Sequence, residues 1–293
     1  MSADGRFAPS PTGTLHLGNL RTALLAWLYA RSAGGRFLVR MEDLDAGRVR
    51  PGSAEEQLAD LAALGLDWDG EVAFQSARLE RYGAAIAQLR AAGRLYECFC
   101  TRAEIRSAAS APHGPLPEGH YPGTCLRLSA SERAERRASG RPPALRVRAN
   151  GERVGFEDRV LGRVEDVVDD FVVRRNDGAP AYNLAVVVDD AAQGVGLVVR
   201  GDDLADTTPR QLLLARLLGL PEPEHAHVPL VVGPDGARLA KRHGGVTLRE
   251  VEPPAALAWM AASLGLPAGA SPRALLAAFD PAAFPREPAV WRP

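Results

Sequence analysis

The first forty-one residues constrain the fold most, because they predict a strand, a turn, a long helix and a second strand in that order. Residues 5–8 form the first strand, and prolines and a glycine mark a turn over residues 9–13. Apolar side chains then recur at helical spacing over residues 18–32, and residues 37–41 form another apolar strand. This succession is typical of a right-handed βαβ unit, so we expect an α/β fold with a parallel sheet.

The rest of the chain continues the α/β pattern. Helices are predicted over residues 53–64, with Ser53 as N-cap, and over residues 76–92 and 209–218. The last fifty residues, rich in alanine and leucine, are also expected to be helical. Strands are predicted at residues 144–149, 171–175, 184–189, 195–199 and 228–232.

Composition limits the possible partners and compartments. The 293 residues carry a net charge of −1, so no broad basic field favours nonspecific binding to nucleic acid. No segment approaches the roughly 18 apolar residues of a membrane helix, and the N-terminus does not resemble a signal peptide. The cytoplasm is therefore the expected location. Any RNA contact would come from local arginines, for which the candidates are Arg133, Arg136, Arg137, Arg141, Arg146 and Arg148.

Lysine is almost absent from the sequence. Of the 35 basic Lys and Arg residues, only Lys241 is a lysine. A compact ammonium group that reaches one phosphate is poorly replaced by a planar guanidinium, which would explain why this lysine persists. A lysine without function on the surface is the alternative interpretation.

The turn after the first strand leads into a helix start that is suited to phosphate. Free backbone N–H groups and the helix dipole favour an anion there, and Gly13 and Gly18 allow close approach to the main chain. His16 could donate a hydrogen bond to a phosphoryl oxygen. By structure alone, a histidine in this place is more often a helix cap or a surface residue.

Two segments resemble the signatures of class I aminoacyl-tRNA synthetases. Residues 6–19 resemble the "FAPSPTG…HIGH" sequence of the glutamyl and glutaminyl branch, with Asn19 in place of the final histidine. Residues 238–242 resemble KMSKS, with Lys241 as the second lysine and Ala240 in place of the serine. The resemblance implies a Rossmann-like HIGH-type nucleotidyl transferase domain that uses ATP with Mg²⁺. It implies catalysis by His16 and Lys241, and ATP binding by His16, Gly18, Asn19 and Lys241.

The same resemblance implies a glutamate site. A side-chain carboxylate requires a guanidinium, which can bind two oxygens, and an amino group requires a carboxylate. Surface ion pairs at strand ends are the alternative interpretation of these charges. The positions that match the glutamate-binding residues of the family are Arg6, Ala8, Ser10, Glu42, Tyr182 and Arg200.

All three cysteines lie in one irregular segment, at Cys98, Cys100 and Cys125. Three thiolates suit a tetrahedral zinc ion, although three free thiols are possible. On chemistry alone, His120 or His113 would be the conventional fourth ligand. The glutamyl-queuosine tRNA(Asp) synthetases carry a Cys-x-Cys…Tyr-x3-Cys zinc site, and this resemblance implies one structural zinc ion bound by Cys98, Cys100, Tyr121 and Cys125.

The layout also resembles that of the glutamyl-queuosine family. Only about fifty residues follow the KMSKS-like segment, whereas a glutamyl-tRNA synthetase continues into a helical anticodon-binding domain. The predicted division is a first half of the catalytic domain at 1–95, a zinc-binding and acceptor-contacting insertion at 96–178, a second catalytic half with the KMSKS-like loop at 179–245, and a C-terminal helical tail at 246–293.

The resemblance implies a specific reaction. We expect ATP-dependent, tRNA-independent activation of L-glutamate, followed by transfer of glutamate to queuosine in the anticodon loop of tRNA(Asp) by a monomer. One alternative is a truncated glutamyl-tRNA synthetase that acylates a tRNA 3′ end. Another is a catalytically silent paralogue that binds RNA or an amino acid.

Replacement of Lys241 tests the phosphate-binding role of the single lysine. If its ammonium group stabilises the leaving pyrophosphate, Lys241→Ala lowers the rate of adenylate formation about a hundredfold or more, as loss of a transition-state contact does. ATP–pyrophosphate exchange measures this rate. An exchange rate close to that of the unmodified protein would contradict the prediction.

Overall fold

The structure, a computed structural model, describes residues 3–101, 103–105, 120–240 and 243–292. Its strands are β1 (Gly5–Phe7), β2 (Phe37–Met41), β3 (Ala73–Phe74), β4 (Leu95–Cys98), β5 (Ala144–Val147), β6 (Arg153–Asp158), β7 (Gly162–Val167), β8 (Val172–Arg174), β9 (Leu197–Gly201), β10 (Glu224–Val228), β11 (Val231–Val232) and β12 (Ala289–Val290). The main α-helices are α1 (Leu17–Ser32), α2 (Ser53–Ala63), α3 (Leu79–Ala91), α4 (Ala130–Ala138), α5 (Tyr182–Gln193), α6 (Thr208–Leu218), α7 (Pro253–Ser263) and α8 (Pro272–Ala278).

A seven-stranded sheet with the order β3-β2-β1-β9-β10-β6-β7 forms the centre of the fold. Strand β1 is parallel to both β2 and β9, which confirms the predicted βαβ opening and the parallel sheet. Helix α1 packs against β1, and Gly5 allows this approach, since a Cβ atom there would meet the Ala30 Cβ at 3.1 Å. The buried leucines of α1, such as Leu24, belong to a hydrophobic core of the protein.

A second, three-stranded sheet has the order β4-β5-β8 and is antiparallel. It lies within the predicted insertion at 96–178, apart from the start of β4. The hairpin of β6 and β7 also lies in that segment, yet it extends the large sheet, because β6 pairs in parallel with β10 through Asp158 and His225. The hairpin therefore brings Asp158 into the interior of the larger sheet. The boundaries at 96 and 178 stay a prediction.

The apolar run at residues 184–189 is helical, so the predicted strand there is wrong. A run this short does not distinguish a buried strand from a buried helix. Residues 184–189 lie in helix α5. In this helix Asp189 accepts hydrogen bonds from Tyr82 and Arg78 at 2.7 and 2.6 Å, which favours the helical conformation. Gly194 then ends α5 in the left-handed conformation, with φ 71°.

Three further boundaries differ from the prediction. Ser53 is the first residue of α2 and not its N-cap, a position that Gly52 takes with φ 78° and without a side-chain cap. Helix α3 begins at Leu79 because a 3-10 turn precedes it. The strand predicted at 228–232 is two strands, β10 and β11, separated at Pro229, which has no N–H for a sheet.

Among the residues that the structure describes, no helix combines the length and the apolar character needed to cross a membrane.

Candidate active site

A cleft of about 900 Å³ opens at the carboxyl ends of β1 and β9 and at the amino end of α1. Crevices at the carboxyl ends of parallel strands are the usual ligand sites of α/β sheets. The structure brings nine of the predicted residues together here, although they come from distant parts of the sequence. These residues are Arg6, Ala8, Ser10, His16, Gly18, Asn19, Glu42, Tyr182 and Arg200.

His16 is the N-cap of α1 and also lines the cleft. Its Nδ1 accepts a hydrogen bond from the Asn19 backbone N–H at 3.2 Å, and the Asn19 side-chain oxygen accepts one from the His16 N–H at 3.2 Å. Burial, and then the charge of Arg238, lower the pKa of His16 to about 4. The imidazole is therefore neutral near pH 7, with its proton on Nε2. The two interpretations of His16 as a cap and as a cleft residue are thus compatible.

Gly18 leaves space for this imidazole. A Cβ atom at residue 18 would lie 3.0 Å from both Cε1 and Nδ1 of His16, and 3.4 Å from the Val231 Cβ. Contacts of 3.0 Å are closer than side chains normally adopt, so any larger residue would displace the ring. Gly18 therefore leaves room for the His16 ring, which packs directly over it.

The KMSKS-like segment borders the same cleft. Arg238 lines it and pairs with Asp203 at 2.6 Å, and the Ala240 N–H donates to His243 Nδ1 at 3.0 Å. Lys241 lies outside the described residues, so its position and role stay a prediction.

Asp190 lies buried beneath the cleft and binds two arginines from neighbouring strands. Arg6 Nε donates to its Oδ1 at 3.3 Å, and Arg40 Nη1 donates to the same oxygen at 2.7 Å. Burial alone would raise the pKa of Asp190, but these two cations outweigh burial and lower it. Arg40 also pairs with Glu42 at 3.3 Å, while burial raises the pKa of Glu42. Burial thus disfavours the charged form of Glu42, and a ligand ammonium group would stabilise that form.

Arg200 differs from Arg6 in its partners. Its side chain is 95% buried, and its hydrogen bonds go to neutral groups at His227 Nε2, Tyr182 Oη and Thr208 Oγ1, at 3.1, 3.2 and 2.8 Å. No carboxylate of the described residues forms an ion pair with it. Burial lowers the pKa of Arg200, which reflects the cost of a charge without a counter-ion. Such a cation beside a cleft is suited to bind a carboxylate ligand.

The three cysteines converge although two of them are far from Cys125 in sequence. The Sγ atoms of Cys98, Cys100 and Cys125 lie within 4.8 Å of one another. The Tyr121 hydroxyl lies 3.5 Å from the first and 3.7 Å from the second. Sulfurs bound to one tetrahedral zinc ion at 2.3 Å lie roughly 3.8 Å apart, so these residues fit the ion.

Of the two alternative metal ligands, His120 is described, and its Nε2 lies 3.8 Å from Asp166. It is not among the residues that the structure gathers around the sulfur atoms, whereas the Tyr121 hydroxyl is. His113 lies outside the described residues. The geometry therefore favours Tyr121 over His120, and the ligand set stays a prediction.

Sequence reasoning missed the residues that hold the cleft arginines in place. Asp190 binds Arg6 and is itself bound by Arg40, whereas His227 and Thr208 bind Arg200. Asp158 in turn contacts His227. A charged side chain inside an apolar strand, as at Arg40 in β2, was the available signal. The sequence could not pair these residues, because Asp158 and His227 are separated by 69 positions.

Known proteins resemble this chain over nearly its whole length. The family model for the catalytic domain of class I tRNA synthetases (E and Q) matches residues 3–260. A protein of Nocardia farcinica named glutamyl-Q tRNA(Asp) synthetase is 65% identical over 291 residues, which cover 97% of this chain and 91% of that protein. A protein of the same name from Symbiobacterium thermophilum is 51% identical, covering 97% and 94% of the two chains.

Solved structures give the same result for the fold. The crystal structure of a glutamate tRNA ligase from Elizabethkingia meningosepticum in complex with its amino acid matches with a TM-score of 0.83 and 26% identity. That of a glutamate-tRNA synthetase from Elizabethkingia anophelis matches with a TM-score of 0.86 and 27% identity. Each match covers 99% of this chain, and 67% and 68% of the two solved chains.

We predict that His16 is neutral throughout the physiological pH range, with its proton on Nε2. Its pKa is about 4 in the fold, against the usual 6.5 of a histidine side chain in water, so the unfolded chain binds more protons between these limits. The contribution of His16 to stability therefore rises with pH from about 4 to 6.5 and is constant above. NMR titration of the imidazole measures the pKa. A midpoint near 6.5, or a proton on Nδ1 at pH 7, would contradict it.

Proposed function

The chain belongs to the glutamyl-Q tRNA(Asp) synthetases, within the class I tRNA synthetases for glutamate and glutamine, and we propose that it joins L-glutamate to queuosine in the anticodon loop of tRNA(Asp). The protein is a ligase of the aminoacyl-tRNA synthetase type. Its substrates are ATP, glutamate and a tRNA. We further propose that it acts in the cytoplasm as a monomer and uses Mg²⁺ with ATP.

The observation that carries this proposal is the presence of two complementary groups in one cleft. Arg200 is a buried guanidinium without a carboxylate partner in the described chain, and His16 caps the helix whose N-terminus faces the same space. The first suits the side-chain carboxylate of glutamate, and the second suits the phosphates of a nucleotide. In this proposal Glu42 binds the amino group, because its pKa is raised by burial and a cation would relieve that cost.

In the first step, an oxygen of the glutamate α-carboxylate attacks the α-phosphorus of ATP. The bond from that phosphorus to the β-phosphate bridging oxygen breaks, pyrophosphate leaves and glutamyl-adenylate forms. The neutral His16 offers its Nε2–H to a phosphoryl oxygen, and Lys241 neutralises charge on the leaving group. The protein contributes position and charge, and the α-carboxylate is the nucleophile.

In the second step, a hydroxyl group of the queuosine cyclopentenediol attacks the carbonyl carbon of the adenylate. AMP leaves with the bonding electrons, the hydroxyl proton is released, and an ester joins glutamate to the modified base. The names of the relatives from N. farcinica and S. thermophilum favour this acceptor over a tRNA 3′ end.

Transfer of labelled glutamate tests the proposed acceptor. We expect glutamate to be esterified to tRNA(Asp) that carries queuosine and not to tRNA(Asp) that lacks it. Periodate cleaves the vicinal diols of both the queuosine ring and the 3′-terminal ribose, so it should abolish acceptance, and the tRNA that lacks queuosine distinguishes the two positions. ATP–pyrophosphate exchange should proceed with glutamate when no tRNA is present. Equal charging of both tRNAs would instead indicate acylation of the 3′ end, and no exchange at any glutamate concentration would indicate a silent paralogue.

We also propose that Cys98, Cys100, Cys125 and Tyr121 bind one structural zinc ion. When bound, zinc would hold the antiparallel sheet and the following segment together. The hydrogen bond with Cys125 and the nearby Arg146 lower the pKa of Cys98 to about 4, against the effect of burial, which prepares this sulfur as a thiolate. A thiolate is the form that binds a metal ion.

Two tyrosine variants test the fourth ligand. Tyr121→Phe removes only the hydroxyl group beside the sulfurs, so we expect zinc affinity to fall about tenfold or more. Tyr96→Phe is the matched control, because Tyr96 packs in the same cluster but donates its hydroxyl to Asp170 at 2.6 Å. Competition with a chelator measures the affinity. Equal zinc affinity in both variants would exclude Tyr121 as a ligand.

A further inference from the structure

Arg200 is linked to a buried carboxylate through a histidine and not directly. Asp158 Oδ2 lies 2.6 Å from His227 Nδ1, and Arg200 Nε donates to His227 Nε2 at 3.1 Å. The side chains of Asp158 and His227 are fully buried. These three residues form a chain of hydrogen bonds that ends at the wall of the cleft.

This chain of hydrogen bonds fixes the position of the proton on the His227 imidazole. An arginine can only donate, so Nε2 of His227 must accept the bond from Arg200 Nε. The remaining proton is then on Nδ1 and is donated to Asp158. Burial outweighs the hydrogen bond to Asp158 and lowers the pKa of His227, in agreement with a neutral ring.

The carboxylate of Asp158 is itself held rigidly. Its Oδ1 accepts hydrogen bonds from the backbone N–H groups of Val160 and Leu161, at 2.9 and 3.0 Å. These bonds belong to the tight turn between β6 and β7. The turn therefore fixes Asp158, Asp158 orients the His227 ring, and His227 fixes the plane of the guanidinium.

The neutral His227 ring lies between Asp158 and Arg200, so the charge of Arg200 stays available to a ligand. Arg6 contacts Asp190 directly and is compensated by it, whereas Arg200 donates only to uncharged acceptors, which are the His227 nitrogen, two hydroxyl groups and the Leu204 carbonyl. One hydrogen of Arg200 Nη1 is used by Tyr182, and the second stays available to a ligand. A ligand carboxylate would compensate this buried charge, but a neutral amide would leave it without a counter-ion.

We propose that Asp158 and His227 are positioning residues that orient Arg200 and keep it uncompensated, so that the site accepts glutamate and rejects glutamine. This inference rests on the proposed function, because it assigns the side chain of the amino acid substrate to Arg200. It adds two residues that do not touch the substrate and act through a third.

The sequence offers a matched control in His225. This residue lies on the same strand, is also buried, and stacks on the His227 ring with a centroid distance of 5.7 Å and an interplanar angle of 2°. Its ring makes no hydrogen bond to Arg200 among the described contacts. His225→Phe and His227→Phe are therefore the same change at neighbouring buried positions, and only the second removes an acceptor from Arg200.

The test compares glutamate binding and exchange kinetics in these variants. We expect His227→Phe to raise the glutamate Kd and KM roughly tenfold or more, as loss of a hydrogen bond to a charged group does. The KM for ATP should change less than about twofold, and the preference for glutamate over glutamine should fall. His225→Phe should leave all of these values within about twofold, and His227→Gln should recover part of the affinity because its amide oxygen can accept from Arg200.

Asp158→Asn also tests the orientation of Arg200, and it keeps the shape of the turn between β6 and β7. The Asn oxygen would take the place that accepts from Val160 and Leu161, and its NH2 group would face His227 Nδ1. The His227 proton would then move to Nε2, opposite the Arg200 donor, as a reversed tautomer. We expect a rise in glutamate Kd similar to that of His227→Phe.

The outcomes separate this inference from the proposed function. Glutamate binding by titration calorimetry needs no acceptor, so a protein that binds glutamate but does not modify tRNA(Asp) would contradict only the proposed acceptor. An unchanged glutamate Kd in folded Asp158→Asn or His227→Phe would overturn the inference. Equal rises in KM for ATP and glutamate, or an equal loss in His225→Phe, would also overturn it, because they would indicate a general structural effect.

Discussion

The shared ion pair of Asp190 with Arg6 and Arg40 is the interaction on which the cleft depends. It joins β1 and β2 to α5, so one carboxylate ties the first βαβ unit to a helix that lies about 150 residues later. A buried carboxylate is costly unless it is paired and hydrogen-bonded, and two cations satisfy it here. With β1 held in this way, its carboxyl end and the start of α1 face the same space as β9, and that space is the cleft.

The cleft is built from groups that the fold leaves incompletely satisfied. Arg200 is buried with neutral partners, and Glu42 has a raised pKa, so a zwitterionic ligand with a second carboxylate would relieve both. His16 contributes a neutral donor whose tautomer is fixed by its own capping bonds. For Arg200 and Glu42, burial of the charge lowers folding stability, and a ligand of opposite charge would offset this cost. Binding sites obtain specificity from electrostatics in this way.

Histidines serve this electrostatic design because burial keeps them neutral. His16 and His227 both have lowered pKa values, and each accepts a hydrogen bond on one ring nitrogen. In both residues the accepted bond determines where the remaining proton lies: on Nε2 toward the cleft in His16, and on Nδ1 toward Asp158 in His227. Histidine thus provides a hydrogen-bond donor to a ligand at position 16, whereas at position 227 it separates Arg200 from the Asp158 carboxylate.

The sequence by itself determined the βαβ opening, the family and nine of the residues that line the cleft, because short-range periodicity and signature segments can be read from the order of residues in the chain. It did not determine that residues 184–189 are helical, since a six-residue apolar run fits a strand as well as a helix. Nor did it determine that the β6–β7 hairpin joins the large sheet and brings Asp158 to His227, 69 positions away. Only the tertiary structure decided which buried charges are compensated, because compensation depends on distances between residues that the chain order does not fix.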